Sequence, residues 1–137
     1  MVAGAQSEFL DPKRLIDEAL TEQIIGAAIE VHRHLGPGLL ESAYEECLCH
    51  ELQLRGFSFR RQVSLPVVYK NVSLDCGYKM DVVIEDRVVV ELKCIESVLS
   101  IHHAQLLTYL KLSQKRVGLL LNFHVAVMTR GIVRKVL

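Results

Sequence analysis

The chain has 137 residues, half of them hydrophobic, with 16 basic and 16 acidic side chains and a formal net charge of zero. That length suits one domain with a real core, and that composition excludes a disordered or fibrous chain. Neutrality removes the long-range positive field that usually draws a domain to nucleic acid, and no apolar run reaches the length of a membrane span.

Residues 1–12 read as a flexible tail closed by "DP", and 13–137 as a single domain. The first residues lack the basic-then-apolar layout of a secretory signal, so the expected location is cytoplasmic. A helix is predicted from Lys13 or Thr21 to Leu35, with Leu20, Ile24, Ala27, Ala28 and Val31 at helical spacing. "GPG" at 36–38 ends it: Gly36 suits the left-handed position after a helix, and Pro37 blocks continuation. A second helix is expected over about 39–55, with Leu40, Tyr44, Cys47, Leu48 and Leu52 as its apolar stripe and Gly56 as its stop. The pattern then switches to period two. "FSFRRQVSLPVVY" gives one or two strands, with Pro66 marking an edge or a bulge. "KN" is a turn, 72–74 a short strand, and 78–84 and 88–93 two longer ones.

Ser97 or Ser100 is placed to cap a third helix, about 101–113, with Leu106, Leu107 and Leu110 facing inward. "VGLLLNF" at 117–123 has the continuous apolar character of a central strand covered on both faces. "RG" at 130–131 is a turn before a last strand at 132–136. The order is ααβββαββ, with room for one more short strand: an α/β fold with a mixed central sheet flanked by helices. The four cysteines, Cys47, Cys49, Cys76 and Cys94, include no CxxC and read as reduced thiols.

"GYKMDVVIEDRVVVELK", residues 77–93, concentrates the chemistry. A symmetric turn near Asp86 sets Asp81 opposite Glu91, Lys79 opposite Lys93 and Val83 opposite Val89. Strand alternation puts Tyr78, Met80, Val82 and Ile84 on one face, and Asp81, Glu91 and Lys93 together on the other. Opposed carboxylates repel, with Cβ atoms about 4.5–5.5 Å apart. A divalent cation between them, completed by phosphodiester oxygens, removes that conflict. The plainer alternative is a solvated face on which Lys79 and Lys93 pair with the acids; its weakness is how apolar 88–92 is.

Asp followed about ten residues later by Glu-x-Lys resembles the signature of the PD-(D/E)XK nuclease superfamily. "GLLESAY" at 38–44 resembles the GxxExxY signature of a small family within it, on Gly38, Glu41 and Tyr44. The resemblance runs on through "IHHAQLLTYLKL" and "VGLLLNF". It implies a restriction-endonuclease-like fold and a metal-dependent nuclease, cutting nucleic acid (DNA being the expected type) by in-line attack of a metal-bound water. It implies Mg2+ or Mn2+ on Asp81, Glu91, the carbonyl of Leu92 and Glu41. Lys93 would be the catalytic lysine, with Gln105 orienting it or touching phosphate. Gln105, Tyr109, His102 and Tyr44 become candidate substrate contacts, although Tyr44 reads equally as a packing residue with a tethered hydroxyl, and His102 and His103 as helix-start surface residues. Edge strands near Pro66 or the C-terminus are where a homodimer would form. The rival readings are a catalytically silent nucleic-acid-binding or assembly module of the same fold, a small-phosphoester hydrolase, and a purely structural protein.

Overall fold

The structure is a computed structural model and describes residues 17–137; the expected tail at 1–12 and the earliest expected helix start at Lys13 lie outside the described residues. Helix α1 (Glu18–Leu35) buries the predicted stripe of Leu20, Ile24, Ala27, Ala28 and Val31. Gly36 ends it with φ 67° and donates its N–H to His32 O at 2.7 Å. Its ψ of −174° then leads the chain out extended rather than left-handed helical. The following proline is the reason, since it bars the residue before it from helical backbone angles.

Helix α2 (Glu41–Leu54) buries Tyr44, Leu48, Cys49 and Leu52. Leu40, expected in that stripe, is 76% exposed, because it stands just outside the first turn. Five strands form one sheet in the order β1-β4-β5-β6-β7: β1 (Phe59–Ser64), β4 (Lys79–Ile84), β5 (Val88–Lys93), β6 (Val117–Asn122) and β7 (Ile132–Val136). Strands β2 (Val67–Tyr69) and β3 (Val72–Leu74) pair only with each other. Their turn, Lys70-Asn71, has φ of 49° and 67°, the type I′ geometry that matches strand twist. Pro66 sits between β1 and β2, where the chain leaves the sheet. With that hairpin set aside, the element order is the predicted ααβββαββ.

Among the described residues only β5 and β6 run parallel. A parallel pair needs a crossover, and α3 (Ser100–Ser113) supplies it. The sheet therefore has a core on each face. Ile24, Leu48, Leu52, Val82, Leu119 and Phe123 pack on the side of α1 and α2. Leu106, Leu110, Val83, Val89 and Leu120 pack on the side of α3. Covered twice, β6 is buried along its whole length, as its unbroken apolar run required.

Three local expectations change. Neither serine caps α3: Leu99 precedes its first turn, and His102 accepts the Leu99 N–H on Nδ1 at 2.9 Å, the reach-back usually made by Glu or Gln. Leu107 is half-buried rather than inward. Residues Met128–Gly131 form a short 3-10 helix instead of a plain turn. All four cysteines are free thiols, and no helix among the described residues is long and apolar enough to cross a membrane.

Candidate active site

The β4–β5 hairpin turns at Glu85-Asp86, both at positive φ, and pairs Ile84 with Val88, Val83 with Val89 and Val82 with Val90. That is the expected register. The ladder then stops one step short of Asp81 and Glu91. There the side chains take its place: the Asp81 N–H donates to Glu91 Oε2 at 2.8 Å, and the Leu92 N–H donates to Asp81 Oδ2 at 2.9 Å. The acids are thus not a sheet pair, and Lys79 pairs with Ser64 of β1 rather than with Lys93. Two carboxylates held face to face would repel. With the strands parted, each carboxylate accepts a main-chain donor that the broken ladder would otherwise leave without a partner.

The face alternation changes at the same point. Met80, expected beside Val82, packs with Val83 and Val89 on the α3 side. Asp81 instead lines a cleft of about 880 Å³ with Glu41, Glu45, Gln62 and Leu92. Lys93 lines a second cleft, about 640 Å³, with Tyr78, His102, Gln105 and Tyr109. The single face expected to carry 81, 91 and 93 is therefore two clefts divided by the end of β5. Glu91, at 6% exposure, is buried.

Burial, and then the nearby charge of Asp81, push the Glu91 carboxyl up to about 8 against the pull of the Asp81 N–H. Burial also raises Asp81 above the usual carboxylate range, opposed chiefly by the Leu92 N–H. Among the described residues no ion pair holds either acid, and the Lys93 ammonium has neither an ion pair nor a hydrogen bond. A solvated, ion-paired face would have joined them. A buried and a half-buried carboxylate, eased only in part by the Lys93 charge and offering only oxygen, suit a hard divalent cation such as Mg2+ or Mn2+. No group of three or more His, Cys, Asp or Glu side chains is gathered for a metal among the described residues. Further ligands would have to be a main-chain carbonyl such as that of Leu92, water, or substrate oxygen.

Tyr44 explains how Glu41 reaches this place. The Tyr44 ring is fully buried and stacks on Phe123 at 4.5 Å and 13°. Its hydroxyl donates to Gly36 O and accepts the Leu39 N–H at 3.3 Å, so it ties down both sides of the "GPG" loop. Helix α2 then starts at Glu41, whose Oε1 accepts the Cys94 N–H at 3.2 Å, just past the end of β5. With no exposed ring surface, Tyr44 is a packing residue with a tethered hydroxyl, not a substrate contact. Tyr44→Phe keeps the stack and loses both hydrogen bonds, so it should lower stability by about 1–2 kcal/mol. Urea unfolding checks this, and an unchanged midpoint would show that the tether contributes nothing.

On α3, Gln105 Nε2 donates to the Tyr109 hydroxyl at 3.1 Å, the contact their four-residue spacing anticipated. His102 lines the same cleft while capping the helix. Three cleft residues escaped sequence reasoning. Glu45 lies one turn beyond Glu41 and is 7% exposed. It is held by Arg61 Nη2 at 2.7 Å and by Gln62 Nε2 at 2.7 Å, and Gln62 also reaches Asp81 Oδ1 at 3.4 Å. Gln62 has φ 50°, rare for a strand residue that is not glycine. The β1–β4 register is the same on both sides of it. His124 joins the cleft from the loop after β6. The spacing Glu41–Glu45 was a usable signal; Gln62 had none, because it depends on which strand lies beside β4.

A family model described as the PD-(D/E)XK nuclease superfamily matches residues 18–135. No curated protein and no solved structure matches the chain.

Proposed function

From the premise that the chain belongs to the PD-(D/E)XK nuclease superfamily, we propose that it is a metal-dependent nuclease hydrolysing phosphodiester bonds of DNA, with Mg2+ or Mn2+ as its ion. Within the superfamily we place it with the GxxExxY proteins, on Gly38, Glu41 and Tyr44. The observation that carries this reading is the buried Glu91 and half-buried Asp81, held to each other's strand through main-chain N–H groups with no ion pair to either, and Lys93 two residues beyond Glu91 with its charge acting on both.

Asp81 and Glu91 would hold the ion, with Glu41 and the carbonyl of Leu92 as further candidates; Glu41 and Leu92 line the cleft that Asp81 lines. When bound, the ion supplies positive charge to the phosphodiester and acidifies a water. Lys93, at the end of a rigid central strand, orients the attacking water and stabilises the negative charge that develops on the phosphoryl oxygens. Gln105, tied to Tyr109, presents its amide in the cleft that Lys93 lines and serves to position the lysine or a phosphate oxygen.

One observation favours a second reading, a silent binding or assembly module: each carboxylate already has an oxygen engaged by a main-chain N–H. Titrating Mg2+, Mn2+ and Ca2+ against labelled single-stranded, duplex and branched DNA and RNA decides between them. Cleavage in Mg2+ or Mn2+ with binding alone in Ca2+ supports the nuclease. Binding in all three ions without cleavage supports the module.

A further inference from the structure

We propose that the cleft on the α3 side of Lys93 is a nucleobase slot, so that the substrate is a strand presenting an unpaired nucleotide beside the phosphate to be cut. The inference rests on the nuclease reading, which puts that phosphate at Lys93. The slot itself is argued from what lines the cleft.

Its volume, about 640 Å³, is in the range of pockets that take small ligands. Its wall carries an aromatic corner: the Tyr78 and Tyr109 rings meet edge to face, 6.2 Å apart at 65°, and Tyr78 is 47% exposed. Val67, Ile101 and Leu112 add apolar surface, and Ile101 is 66% exposed. Lys93 is the sole lysine or arginine in this lining among the described residues. A cleft that tracked the phosphate backbone would need several. What this one offers is an exposed ring, apolar walls, one amide, the Thr108 hydroxyl and the His102 imidazole. Gln105 donates through Nε2 to Tyr109, while its Oε1 makes no hydrogen bond among the described residues and is left to accept one. A flat heteroaromatic base with an amino or imino edge matches that set.

The opposite cleft points the same way. Glu41, Glu45 and Asp81 make it acidic, so it takes a phosphodiester only alongside a cation. A strand crossing the end of β5 therefore has its metal on the α2 side and its base on the α3 side. In a duplex the base is stacked and paired, and cannot enter the slot without leaving the helix. The chain's zero net charge fits the same picture: affinity then comes from stacking rather than from many phosphate contacts, and should depend only shallowly on salt.

The test is fluorescence anisotropy in Ca2+ with three probes: a short labelled single strand, the same strand made abasic, and its duplex. Wild type should prefer the intact single strand. Tyr78→Ala should weaken that binding by about 5- to 100-fold, the range of one lost base stack. Tyr78→Phe should preserve it, and Ile101→Asn should weaken it in the same sense. The abasic strand should bind wild type and Tyr78→Ala equally poorly. Equal wild-type affinity for intact and abasic strands, or an equal loss on both with Tyr78→Ala, overturns the slot. Cleavage of the same strands in Mg2+ is read separately. Cutting that ignores the base overturns the slot and leaves the nuclease standing. Base-dependent binding without any cutting upholds the slot and overturns the nuclease.

Discussion

Lys93→Ala is expected to leave the fold intact and to reduce metal-dependent cleavage by about 10²- to 10³-fold, the usual cost of one group that stabilises charge in a transition state. The fold should survive because Lys93 makes no ion pair or hydrogen bond among the described residues and its side chain faces a cleft. Metal affinity should be nearly unchanged, since an ammonium is not a ligand. Asp81→Asn and Glu91→Gln should lose at least as much activity, and they should also weaken divalent-ion binding. Single-turnover cleavage and metal calorimetry on the three variants separate those roles. Cleavage by Lys93→Ala at the wild-type rate would end the proposed mechanism.

The second large effect is on stability. Glu91 titrates near 8 in the folded chain against an ordinary value of 4.5. Between those limits the folded chain holds a proton that the unfolded chain has released. The stabilisation from this group is therefore complete below about pH 4.5, declines as pH rises towards 8, and is gone above it. The loss across that window is on the order of 5 kcal/mol, and Asp81 shifts in the same direction. Glu91→Gln keeps an oxygen for the Asp81 N–H and carries no charge. In chelator at pH 8 it should unfold at higher urea than wild type, with little slope against pH. Adding Mg2+ at pH 8 should stabilise wild type far more than the variant, because the ion takes the place of the proton. Metal affinity should in turn rise with pH up to about 8. A Glu91→Gln variant less stable than wild type in chelator at pH 8 would remove the electrostatic account of the site.

Much of the site was legible in advance. A symmetric turn centred on Asp86 between strands at 78–84 and 88–93 set the hairpin register, and the pairs 82–90, 83–89 and 84–88 follow it. A four-residue spacing placed Gln105 against Tyr109. The charge conflict between Asp81 and Glu91 was itself visible in the chain. Its resolution was not. The sequence could not say that the ladder would stop at Val82, that Met80 would cross to the other core, or that Asp81 and Lys93 would line separate clefts. Tyr44 shows the same limit: its motif position drew attention to it, but whether a ring faces solvent or Phe123 depends on another element.

The amino-acid sequence by itself determined the elements, the fold class and the two carboxylates and lysine on one hairpin, because helical and strand periodicities and turn chemistry act over a few neighbouring residues. Only the tertiary structure decided which side of the sheet each of those groups serves. That depends on contacts distant in sequence: Glu41 on the Cys94 N–H, Gln62 between Glu45 and Asp81, and α3 beside Lys93. No local pattern records such contacts, since they exist only once β1 lies beside β4 and the β5–β6 crossover has closed.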